Sequence, residues 1–376
     1  MQVQSKTIRK FSTFMLFAAM ALIALLLITV QAYAQQYTIL NIPGAGRGAG
    51  QGTYVIGVNA RGSVVGQYVD AYNVYHAFLR KPNGKILTFD PPGSMSTWAY
   101  AINNKEMTAG WYADVVDACH GYMRGPDGSV VVFDPLGAGT GYGQGTWAAD
   151  INDLGKIAGY FVDSTNVYHG FVRDPDGNIV NFDAPGAGNG AWQGTIPMFF
   201  SALTPTGAVT GIYIDANNAM HGFLRAPDGL ITQFDVLGAG TGAGQGTQPL
   251  SINRSWVITG TYVDGKNVYH GFLRNPDGLI VPFEVPLANK TAGQGTIPQS
   301  INRHGAVVGN YIDGGLISHG FLRGSPYGNI TTFDAPAAGT GVHQGTFPMS
   351  NNAKGTIVGY FVGSKGIYHG FVRTPQ

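Results

Sequence analysis

The chain has 376 residues, a formal net charge of +1 and only 11% charged residues, while glycine supplies 57 positions and aromatics reach 12%. No strict three-residue glycine period exists, which excludes collagen. A hydrophobic content of 44% excludes ordinary disorder, and the near-zero charge leaves no electrostatic footprint for nucleic acid.

Residues 1–34 read as a signal peptide. Lys6, Arg9 and Lys10 form the basic start, an apolar run extends from Phe14 to Val30, and Ala32-Tyr33-Ala34 offers a cleavage site before Gln35. The apolar run is long for a signal, so a retained anchor is the alternative. Residues 35–376 contain no second apolar stretch of spanning length. They are expected to form one domain outside the cytoplasm, secreted, extracellular or periplasmic, and monomeric. The single cysteine, Cys119, permits no internal disulfide and reads as a small buried thiol.

After this leader the chain is a repeat. Tyr37-Thr38-Ile39-Leu40-Asn41-Ile42-Pro43 matches a fourth strand and its exit, as in Thr332-Phe333-Asp334-Ala335-Pro336. The first full unit then gives a second strand at Val64–Asp70, a third at Tyr75–Arg80 and a fourth at Ile86–Asp90. A first strand is exemplified by Ser300-Ile301-Asn302, entered through Gln294-Gly295-Thr296. The third strand carries His-small-aromatic-aliphatic-Arg, starting at His76, His120, His169, His221, His270, His319 and His369, with spacings of 44, 49, 52, 49, 49 and 50. That period belongs to propeller-type arrays. The C-terminal copy stops after its third strand, and the N-terminal strand supplies the missing fourth. The expected fold is all-β: a seven-bladed β-propeller of four-stranded blades, the last blade closed by the N-terminal strand.

Within each unit the hairpin between second and third strands carries Asn73, Asp117, Asn166, Asn218, Asn267, Leu316 or Gly366. Six of these seven suit a left-handed loop position. Symmetric pairing about that loop predicts Asp70 opposite His76, Tyr68 opposite Phe78 and Gly66 opposite Arg80, all on one face. The other face of the third strand is notched by a small residue, as at Ala77, Gly121 and Gly170, so that a neighbouring sheet can approach.

His76-Ala77-Phe78, with the Gly-x-Tyr strand before it, resembles the bacterial extracellular HAF repeat family, named for His-Ala-Phe. The other copies read His-Gly-Phe or His-Gly-Tyr, and the resemblance spans nearly all of residues 37–376. It implies an exported repeat protein and no established reaction or ligand.

Repeated residues read as scaffold. Asp70 with His76, Asp163 with His169 and Asp264 with His270 are expected to pair across the strands. Arg80 and its equivalents are expected to pack, or to pair with the fourth-strand carboxylates. The seven histidines occupy one slot in different blades and cannot converge, so no metal site is expected. The seventh unit has Gly363 where the others have Asp, so His369 needs another partner. Of 19 Asp and 2 Glu, most fall in repeated slots, leaving Asp117, Asp150, Asp153, Asp174 and Glu106. No Gly-x-Ser-x-Gly signature, metal-ligand spacing or dinucleotide fingerprint appears, and no cofactor is expected.

The loops entering each first strand are the candidate ligand site. They keep Gln51 and Thr53, Gln144 and Thr146, Gln193 and Thr195, Gln245 and Thr247, Gln294 and Thr296, and Gln344 and Thr346. Their amides and hydroxyls suit sugar hydroxyls or peptide. Trp98, Tyr142 and Trp192, with Arg47 and His343, differ between copies and would tune the site. The reading is a non-catalytic binding module for a glycan or protein ligand. One alternative is an extracellular hydrolase or lyase using the off-pattern groups Asp150, Asp153, His304 and His343. The other is a purely structural envelope protein.

Overall fold

The computed structural model describes residues 35–198, 201–325 and 327–375; the leader reading at 1–34 lies outside them. Among the described residues there is no helix, and 28 strands, β1–β28, follow one another. Six of the seven repeats start from a glycine that no other residue could replace, and the second starts from Ser96. Gly145 has φ +107°, and a Cβ there would stand 2.0 Å from the carbonyl oxygen of Cys119. This close approach brings the first strand of one unit against the third strand of the preceding one, in a single parallel bridge.

The first unit contains β2 (Gly52–Val58), β3 (Val64–Val69), β4 (Tyr75–Arg80) and β5 (Ile86–Phe89), paired antiparallel in that order. The same pattern recurs in units spanning 96–133, 145–182, 194–234, 246–283 and 295–333. The last unit has only three strands of its own, at 345–374. Its fourth is β1 (Gln36–Leu40), whose Leu40 lies opposite Gly370. The chain is therefore all-β and built of repeated strand units.

The hairpin register differs from the sequence expectation by two residues. Tyr68 faces His76, Gly66 faces Phe78 and Val64 faces Arg80. The cause is a three-residue loop centred on Tyr72. Asp70 N–H donates to Val74 O at 3.0 Å, and Asn73 takes φ +66°. The strand alternation is unchanged by a shift of two, so the shared face survives and only the partners change.

The seams between units are apolar. Phe78, Tyr122, Phe171, Phe223, Phe272, Phe321 and Phe371 are each under 2% exposed. Five of them meet the fourth-strand Phe of the preceding unit edge to face, as Phe133 meets Phe171 at 5.9 Å. The slot arginines lie on the same seams. Their guanidiniums stand 4.4–5.0 Å from the ring centroids of that preceding Phe in six units. Arg80 lacks such a ring because Leu40 fills the place. The arginines therefore stack on Phe, and the expected fourth-strand carboxylate pairing is not made.

At the inner edge, Asn59 Oδ1 accepts N–H from Arg61 and Ser63, and its Nδ2 donates to Asn103 O at 3.0 Å. Asn103 reaches Asn152 in the same way, Asn152 reaches Thr204, Asn253 reaches Asn302, Asn302 reaches Asn352, and Asn352 returns to Asn59. In the fourth unit Thr204 has no amide to pass the link on. There Ser201 O accepts the Ile252 N–H instead.

Candidate functional site

The Gln-Gly-Thr loops hold themselves together. Gln51 Oε1 accepts the Gly48 N–H at 2.9 Å, and its Nε2 donates to Asn73 Oδ1 at 3.0 Å. Gln144, Gln193 and Gln245 make the same bonds to Asn166, Asn218 and Asn267. Gln344, facing Gly366, donates to Ser364 O, and Gln294 is engaged by Asn289 and Thr291. Thr53, Thr146, Thr195, Thr247, Thr296 and Thr346 are each 0% exposed. Five accept a backbone N–H from the preceding exit strand, as Thr53 does from Ile42, and Thr146 donates to Asp134. The Thr hydroxyls present nothing to a ligand, a point the sequence conceals because buried and exposed polar loops look alike.

The histidines sit between two carboxylates. His76 Nδ1 is 2.7 Å from Asp90 and its Nε2 is 3.6 Å from Asp70. His169 lies likewise between Asp183 and Asp163, and His270 between Glu284 and Asp264. The closer partner is the fourth-strand carboxylate, not the hairpin Asp. Asp70 Oδ1 instead accepts N–H from Tyr72 and Val74, and these bonds with His76 hold its carboxyl below the usual range against the opposing cost of burial. Each ring also stacks on the second-strand aromatic, as Tyr68 on His76 at 5.0 Å.

Beside the glycine loops, rings from the third residue of four first strands, from second-strand partners, from the starts of third strands and from one loop form an arc. Tyr75, Trp98, Trp111, Trp147, Tyr160, Tyr168 and Trp192 follow one another at centroid distances of 3.9–6.0 Å. A second run joins Phe347, Tyr360 and Tyr54 at 5.1 Å. The rings are partly exposed. The equivalent places in the next three units hold Ile196 with Ile212, Gln248 with Thr261 and Ile297 with Asn310. Trp98 and Trp192 belong to this arc, whereas Tyr142 is exposed and outside it.

At the opposite end, where the Asn turns meet, lies a cavity of about 230 Å³. Asp150 and Asp153 both line it, with Asn104, Arg303 and Asn352. A bulge between Ala148 and Asp150 turns Asp150 to the inner edge, where the corresponding residues are Gly57, Ala101, Ser251, Ser300 and Ser350. Asp150 accepts N–H from Ile151 at 2.8 Å and from Leu203 at 2.9 Å. Burial pushes its carboxyl up to about 6. Asp153 accepts N–H from the Asn104 backbone and side chain. His304 adjoins Arg303, and His343 lies in a glycine loop at φ +61°, so His343 is not brought to this cavity. Cys119 is buried, its thiol pushed up to about 12 by that burial. No group of three potential metal ligands, and no helix long and apolar enough to cross a membrane, occurs among the described residues.

No protein-family model and no curated protein matches the chain. Solved structures do. A streptogramin B lyase superposes with TM-score 0.55 and 14% identity, covering 91% of this chain and 98% of the lyase. A puromycin hydrolase superposes with TM-score 0.54 and 11% identity; 85% of this chain covers 51% of that protein, about half its length. These neighbours are β-propeller proteins, and at such identities the likeness concerns the fold. The chain thus joins the all-β, repeated-strand class they define.

Proposed function

We propose that the chain is an exported, non-catalytic, seven-bladed β-propeller of the HAF repeat type that binds glycan at the aromatic arc. The ring closure is supported by β1 lying on β28 (Tyr368–Thr374) and by the Asn352 to Asn59 link. One observation carries the binding reading: partly exposed rings run through the seventh, first, second and third units, while the equivalent slots of the fourth, fifth and sixth are aliphatic or polar. A scaffold requirement would repeat it in every unit. Flat ring faces suit the C–H faces of sugars, and their rigidity lowers the ordering cost of binding. Binding of the purified protein to a glycan panel tests this. Trp98→Ala and Trp192→Ala should each weaken the best binder about tenfold. Unchanged affinity in both variants, or no binding to any glycan, would sink it.

A second reading rests on Asp150. A buried carboxyl near pH 6 beside Asp153 in a polar cavity suits general acid–base work in a hydrolase or lyase. Turnover lost in Asp150→Asn and kept in Trp98→Ala would favour this reading over the first.

A further inference from the structure

Six units hold a carboxylate in one cradle. The hairpin Asp accepts N–H from the residues two and four places on, as Asp313 does from Gly315 and Ile317 at 2.9 Å each. Its other oxygen stands 3.3–3.6 Å from the His Nε2. The seventh unit keeps the cradle and lacks the carboxylate. Gly363 stands in the Asp slot, and the N–H groups of Lys365 and Ile367 have no acceptor among the described residues. His369 keeps its stack on Phe361 at 4.9 Å, and its Nδ1 lies 2.7 Å from Oδ1 of Asn41, the uncharged counterpart of the fourth-strand carboxylate. Its Nε2 faces the space left by the missing side chain.

That space is a cavity of about 330 Å³ lined by Asn41, Gly363, Lys365, Ile367 and His369. Lys365 is exposed and makes no ion pair among the described residues. The remaining walls, Ile39 from β1, Pro336 and Ala337 from the preceding loop and Phe361 from the second strand, carry no charge. A Cβ on Gly363 would meet the His369 ring at 3.7 Å, an ordinary contact, so the space beside the ring admits a side chain there.

We propose that this gap is a binding site for a carboxylate of acetate shape, supplying from outside the group that six units carry within. One guest oxygen would take the Lys365 and Ile367 N–H groups, and the other would meet His369 Nε2. With Nδ1–H held by Asn41, Nε2 takes up a proton from solvent as the carboxylate binds, against the burial that otherwise lowers this ring's pKa, and the bound state is an imidazolium between two oxygens. Charge complementarity comes from that ring and from Lys365, the one charged side chain lining the cavity. The site is separate from the aromatic arc and stands whether or not the arc binds glycan.

The test is a titration of histidine-labelled protein with acetate at constant ionic strength, followed by ring NMR, with His369→Gln assigning the resonance. The His369 signal alone among the seven repeat histidines should move and saturate, with a Kd on the order of millimolar. Acetamide should not move it. Gly363→Asp should place the His369 signal with the other six and abolish the response. A peptide with a free C-terminus, compared with its amide, separates the two sources of carboxylate: tighter binding than acetate assigns the site to chain ends, equal binding to small acids. No movement of His369, a response to acetamide equal to that of acetate, or a response that persists in Gly363→Asp overturns the proposal.

Discussion

The third and seventh units share a core and differ in their polar wiring. His169 lies between Asp163 and Asp183, while His369 meets Asn41 and the hole left by Gly363. Their apolar seams match: Phe171 and Phe371 are both 0% exposed. The polar network is therefore dispensable for forming a unit, and its absence marks a place where the repeat has been released from its scaffold role. The aromatic arc teaches the same from the other direction. It is added where three other units do without it.

The sharpest way to break this comparison is through the cores. Phe171→Ala and Phe371→Ala should each cost about 3–5 kcal/mol, read from denaturant midpoints. A markedly smaller cost at Phe371 would mean that the seventh unit is loosely built throughout, not only stripped of its carboxylates. The next effect lies at the seam of the third and fourth units. Burial raises the Asp150 carboxyl from the usual 3.8 to about 6. The folded state therefore holds a proton that the unfolded state has released, and stability falls as pH rises from about 4 to about 6. Relative to Asp150→Ser, the residue of three other units, the wild type should lose about 2–3 kcal/mol across that window. Parallel pH–stability curves for the two proteins would refute the buried-carboxyl account.

Much of this was legible beforehand. The third-strand segment from Tyr75 to Arg80, the donated N-terminal strand and the exception at Gly363 were all readable from the repeat. The hairpin partners were not, because moving the loop centre by one residue shifts every pair by two and the sequence leaves that centre open. The burial of the loop Thr residues was not legible, because a recurring polar triplet reads alike whether it faces solvent or a backbone N–H. Asp150 was visible as off-pattern, but its direction depended on a bulge that period-two alternation cannot reveal. The inner Asn links were signalled by Asn recurring at the end of the first strand; only the fold shows that they bridge units.

A smaller effect sharpens the comparison of histidines. His169→Ala leaves two carboxylates without their shared partner, and His369→Ala leaves only an amide. The groups around His169 are partly exposed, so the loss is screened. It should be about 1 kcal/mol, against a few tenths at His369. Equal losses would mean that stacking on Phe161 and Phe361, common to both, carries what stability these rings contribute.

The smallest effect has the opposite sign. Gly363→Asp should stabilise the fold by about 0.5–1 kcal/mol in thermal melts. Three features of the site argue for a gain. The backbone at 363 is not left-handed, since positive φ in this hairpin falls at Gly366. The added Cβ meets only ordinary contacts. The new carboxylate finds the Lys365 and Ile367 N–H groups where Asp163 finds those of Thr165 and Val167. A side chain also narrows the unfolded ensemble that glycine leaves wide. A loss of stability would show that the cradle in the seventh unit has closed in a way its backbone does not display, and the likeness between the seventh hairpin and the other six would then end at their Cα positions.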